Sequence, residues 1–144
     1  KIKKAFGANM FLDDNAFKNV IKNTPLISID LIIQNEKGEY LVGKRNNRPA
    51  RCFWFVPGGR IQKDESLDNG FARLTQNEIG IKMIRNESTF LGVFQHFYDD
   101  NFFNHELSTH YILLAYEYHW MRVDEILNND LVHFNTKAYF MDVA

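Results

Sequence analysis

Between residues 57 and 81 the chain sets a glycine turn ahead of two carboxylates and a guanidinium at fixed intervals. The run is Pro57-Gly58-Gly59-Arg60, then Glu65, Arg73, Glu78, Gly80 and Ile81. Each type has a chemical use. Successive glycines let backbone come close to a metal ion or a phosphate, because no Cβ stands in the way. Glu78 offers oxygen to Mg2+, a hard cation that takes carboxylate and carbonyl ligands together with the phosphates of a substrate. Arg73 can orient Glu65 or touch phosphate through its fixed donors. Asp30 is an acid inside the otherwise apolar run Leu26–Ile33, and such an acid calls for a partner. The plain alternative is an ordinary amphipathic helix after a glycine turn, with Asp30 a polar residue on a strand edge. A pattern held across six positions argues against it, provided that a loop and helix follow the turn.

That context is legible. Leu26–Ile33 is β-branched and mostly apolar, so it reads as a buried strand. Asn35-Glu36-Lys37-Gly38 is a turn, and residues 39–45 return as a hairpin partner. Residues 46–51 are a loop, and residues 53–60 a short strand entering the glycine turn. Ser66 opens a helix to about Ile79, with Gly80 as its C-terminal cap. Gly70 inside that helix marks close packing of helix on sheet. An earlier short helix is expected over residues 16–22, capped among Asp13, Asp14 and Asn15 and stopped by Thr24-Pro25. Residues 90–98 and 109–118 are two further strands, joined by a polar loop. Short helices are expected from Val123 and from Asn135, the latter through Phe140.

The 144 residues make one domain, expected over 10–144, with 1–9 a foreign leader or native extension ahead of a start at Met10. Hydrophobic residues are 45% and charged residues 24%, with a net charge of −1. This balance gives no sign of a nucleic-acid or membrane surface. The single Cys52 excludes an internal disulfide and a cysteine metal site, and fits a reducing cytosol. Thirteen Phe are for the most part core, with a few left for stacking on a ligand. Phe11, Phe97, Tyr98 and Phe103 are the candidates.

Taken whole, Gly59-x5-Glu65-x7-Arg73-Leu74-Thr75-Gln76-Asn77-Glu78-Ile79-Gly80-Ile81 resembles the Nudix box, with Leu74 and Asn77 standing where the box has Glu. The chain is similar, more narrowly, to the GDP-mannose mannosyl hydrolase family, which is also non-acidic at those two positions. The resemblance runs from about Met10 to Phe140. It is carried by residues 24–26, 43–45, 47–50, Trp54 to Arg60, Gln62 to Glu65, Gln95 to Phe102 and Thr109-His110-Tyr111. It implies an α/β Nudix fold, a mixed sheet between helices. It also implies a cytoplasmic homodimer that hydrolyses GDP-mannose, or a related GDP-hexose, to GDP and free sugar. Water would attack the anomeric carbon with inversion. The metal would be one Mg2+ (or Mn2+), held by the Gly58 carbonyl and Glu78. Arg45 and Arg60 would hold the diphosphate, and Asp30 would face the sugar. His96 and Tyr111 would lie on the substrate side, and Arg73 would touch substrate or bridge to Glu65. Losing two carboxylates fits a load of one metal and attack at carbon rather than phosphorus.

One part of the family pattern does not transfer. Its general base is a His preceded by a Gln, on a loop just before the strand that contains Trp120, and no Gln-His pair occurs there. Residues 109–118 run into His119-Trp120-Met121 without a turn residue. A strand of that length is unusual, so residues carrying the base are expected to be missing between about Glu117 and His119. Two other readings remain open on sequence alone: a Nudix pyrophosphatase that attacks phosphorus, and a nucleotide-binding domain without catalysis.

Overall fold

The computed structural model describes residues 12–44, 53–104, 106–119 and 138–141. Its centre is β1 (Leu26–Gln34), and the alternation along that strand divides the molecule into two faces. Ile29, Leu31 and Ile33 point into the core with Leu41, Phe71, Leu74, Ile79, Met83 and Tyr116. Ser28, Asp30, Ile32 and Gln34 occupy the opposite face.

β6 (Thr109–His119) pairs parallel to β1 along its whole length, from Leu26↔Tyr111 to Gln34↔His119. It sends Leu114, Tyr116 and Tyr118 toward the core, and Tyr111, Leu113, Ala115 and Glu117 to the face of Asp30. On the other side of β1, β4 (Gly58–Arg60) pairs antiparallel with residues 28–30. β2 (Tyr40–Lys44) joins farther along, through Gln34↔Tyr40, and also carries β3 (Trp54–Phe55) and β7 (Ala138–Met141). β5 (Thr89–Tyr98) lies antiparallel on the far side of β6. The sheet is therefore mixed, as expected, in the order β3-β2-β1-β6-β5, with β4 on β1 and β7 on β2.

α2 (Leu67–Ile79) covers the core face. Ser66 caps its start by accepting from the Asn69 N–H at 3.1 Å, and Gly80 ends it at φ 82°. Its buried stripe is Gly70, Phe71, Leu74, Thr75, Glu78 and Ile79. Thr75 then accepts from the Met83 N–H at 3.0 Å and turns the chain back. α1 (Asp14–Asn23) is capped by Asp13 and packs Phe17 against Phe102 and Phe103. Neither helix is long and apolar enough to cross a membrane.

Three expectations are corrected. The strand expected over residues 53–60 is two short strands that join different partners. Residues 138–140, expected as helix, are strand, because all of β7 finds partners along β2 from Gly43↔Ala138 to Tyr40↔Met141. Long-range pairing here overrides the local cap signal of Asn135. β6 stays extended on β1 through Glu117 to its last residue, His119. Gly70 admits the Ile61 side chain and the Glu65 carboxylate rather than the sheet; a Cβ there would lie 2.7 Å from Ile61 Cδ1. The helix expected from Val123, the start of the one expected from Asn135, Arg45, Phe11 and residues 1–9 lie outside the described residues.

Candidate active site

The glycine turn is seated on β1. Gly58 pairs with Asp30 and Arg60 with Ser28, while the Leu31 N–H donates to the Pro57 carbonyl at 2.8 Å. A Cβ on Gly58 would overlap the Ile29 carbonyl oxygen, so only glycine lets the turn come this close. Below it, a Cβ on Gly59 would meet Leu74 Cδ2 at 2.6 Å. Leu74 thus fills the space under the turn and is 2% exposed.

Arg73 holds the loop between turn and helix. Its Nε donates to Glu65 Oε1 at 2.6 Å, and one terminal nitrogen donates to Glu65 Oε2 at 2.9 Å and to the Arg60 carbonyl at 2.8 Å. Glu65 Oε2 also accepts from the Gln62 N–H. Burial alone raises the Glu65 pKa, but the bonds from Arg73 and Gln62, with the charge of Arg73, bring it below its ordinary value. Of the two roles expected for Arg73, the structure shows the bridge; its side chain is not part of the cavity wall.

That cavity measures about 510 Å³ and brings together six of the residues singled out from the sequence: Asp30, Gly58, Arg60, Glu78, His96 and Tyr111. Arg60 stacks over Phe17, 4.2 Å from ring centroid to guanidinium carbon. Burial lowers its pKa, Tyr111 opposes this, and Arg73 adds to it; an arginine nevertheless keeps its charge. Glu78, only 7% exposed, comes from the last turn of α2, where the helix dipole disfavours an anion. A buried carboxylate there, in a cavity shared with the Gly58 turn, suits one hard cation. Among the described residues no three His, Cys, Asp or Glu side chains gather as a closed cage would require. Mg2+ does not need one, since it keeps waters and takes phosphate oxygens.

His96 and Tyr98 reach this face because of a bulge. The β5–β6 register shifts between Phe90 and Gly92, and Gly92 has φ 139°. Phe90 packs on the core residue Tyr116, and without the extra residue Phe94, His96 and Tyr98 would follow it to that face. His96 Nδ1 lies 3.1 Å from the Tyr98 hydroxyl. Of the stacking candidates, Tyr98 lines the cavity, Phe97 stacks on His110, and Phe103 packs on Phe17.

Several wall residues were not singled out from the sequence. Trp54 and Phe55 lie on β3 beside the turn, and Ser28 precedes Asp30 by one alternation. A second cavity of about 710 Å³ continues along the same face, sharing Asp30 and His96 and adding Ile32, Gln34, Leu91, Phe94, Ala115 and Glu117. The period-two series Tyr111, Leu113, Ala115, Glu117 was the available signal for the last two.

Residues 24–142 match the family model described as NUDIX domain. The low-salt glycan biosynthesis protein Agl8 of Haloferax volcanii is 38% identical over 128 residues, spanning 89% of this chain and 79% of that protein. The crystal structure of a MutT protein from Methanosarcina mazei Go1 has a TM-score of 0.53 at 26% identity, covering 85% of this chain and 75% of that one. A NUDIX hydrolase from Nitrosomonas europaea shares the fold with a TM-score of 0.56 at 16% identity, covering 83% and 74%.

Proposed function

The chain belongs to the Nudix family of hydrolases, and on that premise we propose that it hydrolyses GDP-mannose, or a related GDP-hexose, to GDP and free sugar by attack of water at the anomeric carbon. The observation that carries this reading is Leu74. It occupies a position where the Nudix box has a carboxylate, and it is buried in the core beneath Gly59. The helix face therefore brings Glu78 to the cavity without that acidic companion. Attack at phosphorus relies on several carboxylates gathered around more than one metal; attack at carbon needs chiefly a stabilised leaving group and a stabilised cation.

The residues present divide accordingly. Glu78 and the Gly58 carbonyl would hold one Mg2+, which supplies positive charge to the diphosphate. Arg60, with Arg45, holds the departing GDP through fixed donors. Asp30 faces the sugar, where its negative charge lowers the energy of the oxocarbenium-like state. His96 and Tyr111 position the substrate in the same cavity. Arg73 acts at one remove, by fixing Glu65 and the Arg60 carbonyl. A relative named for glycan biosynthesis accords with a sugar-bearing substrate.

The working unit proposed is a homodimer. Val93 and Phe97 on the edge strand β5 are 60% and 67% exposed, apolar surface of the kind that pairs with another chain. Sedimentation equilibrium should give the mass of two chains; a monomer at micromolar concentration removes this part of the reading.

The test of the reaction is turnover of GDP-mannose in 18O water with Mg2+. Label in mannose, with GDP as the other product, is the expected result. GMP and mannose 1-phosphate, or label in phosphate, overturns it.

A further inference from the structure

The face that carries the cavities has an order along it. Going up β1, Ser28 lies beside Arg60, then Asp30 beside Gly58 and Ala115, then Ile32 beside Glu117. Paired residues of neighbouring strands, antiparallel in β4 and parallel in β6, point to the same side, so Arg60, Asp30 and Glu117 mark three successive steps on one surface. Each step is about 6.6 Å, two residues of strand. Glu117 stands one diagonal beyond Asp30, with Cα atoms on the order of 8 Å apart. Asp30 lines both cavities; Arg60 and Glu78 line the first, and Glu117 lines the second.

We propose that Glu117 is the general base that activates the attacking water. The inference rests on attack at the anomeric carbon as the reaction. If the diphosphate lies against Arg60 and the sugar over Asp30, the face of the sugar opposite the leaving group opens toward Glu117. Inversion requires the water to come from that side, with a general base to take its proton, the part a carboxylate plays in inverting glycosidases. In the step, the water oxygen bonds to C1 as the bond from C1 to the β-phosphate oxygen breaks. The electron pair leaves with GDP, and the water proton goes to the Glu117 carboxylate. His119 Nε2 lies 3.5 Å from Glu117 Oε1 and is mostly exposed, which gives that proton a way out to solvent. The side chain of Glu117 is 21% exposed, so it is screened but within reach of water. The unbroken run of β6 through Glu117 and His119 is what puts both on this face.

The experiment compares the full chain with its Glu117→Gln and Glu117→Ala variants in Mg2+, reading kcat, KM, GDP binding by calorimetry, and products with and without azide. Loss of a general base lowers kcat about 10²–10⁴-fold, while KM and GDP affinity stay within about threefold, as expected for an interaction made only in the transition state. Azide needs no base, so it should restore turnover of Glu117→Ala and yield a mannosyl azide of inverted configuration. If Glu117→Gln keeps near wild-type kcat, or if Glu117→Ala binds GDP normally but azide rescues nothing, the role of Glu117 is overturned and the reaction stands. If the wild-type protein releases GMP, or leaves GDP-mannose intact, the reaction itself is overturned and the role falls with it.

Discussion

Glu65 and Arg73 show how one ion pair can set a whole loop. The Glu65 side chain is 2% exposed, and Arg73 ties it to the carbonyl of Arg60, the residue that enters the cavity. Removing one partner leaves the other charge buried, so Arg73→Ala should cost about 3 kcal/mol, read as a drop in denaturant midpoint. Its pH dependence has a definite sign. The folded pKa of Glu65 lies below its ordinary value of 4.5, so the folded state holds the proton less tightly than the unfolded chain. The stability this gives is complete above about pH 4.5 and is lost as the pH falls through the lower folded value. Glu65→Gln should be less stable than wild type at pH 7, and the gap should narrow at pH 3. A gap that widens on acidification contradicts the assignment. Asp30→Asn should keep GDP affinity while lowering kcat about 10²-fold, because the charge matters to the cation that forms and not to bound GDP.

Elements differ in how far sequence reveals them. α2 was legible from end to end because its signals are local: Ser66 caps it, Gly80 ends it at φ 82°, and its apolar residues keep helical spacing. β1 and β6 were legible from their β-branched and apolar composition. β7 was not, since Ala138–Met141 becomes strand only by meeting β2, nearly a hundred residues earlier. The bulge at Gly92 was not legible either, although it decides that His96 and not Phe97 faces the cavity. Arg73 could be read only as an alternative, because spacing alone does not tell a bridge from a substrate contact. The glycine turn was legible as a close approach, but not what it approaches. Gly58 faces a backbone oxygen of Ile29, which cannot yield, and Gly59 faces the end of the Leu74 side chain, which can. Gly59→Ala should therefore cost about 1 kcal/mol and keep measurable activity. Gly58→Ala should cost about 3 kcal/mol and displace the turn that carries Arg60. Thermal melts with kcat/KM measurements on the two variants separate these outcomes.

At the scale of the molecule, the site is a junction of parts that come from distant points of the chain: β1, the turn into β4, the end of α2, the end of β5 and the first half of β6. A ligand that spans it ties these parts together and should raise global stability by mass action. GDP at about 100 times its Kd contributes about 2.7 kcal/mol, or ~8 °C for a domain of this size. Glu78 adds a condition. A buried carboxylate at the negative end of α2 faces the same cavity as Arg60, the residue proposed to hold the diphosphate. Diphosphate should therefore bind well only with a cation between it and Glu78. The wild-type melting temperature should rise with GDP in Mg2+ and little in EDTA. In Glu78→Gln the carboxylate charge that holds the cation is gone, and the shift with GDP should become nearly the same in both buffers. An equal shift in Mg2+ and EDTA for the wild-type protein counts against Glu78 as the metal ligand, whatever the enzyme turns over.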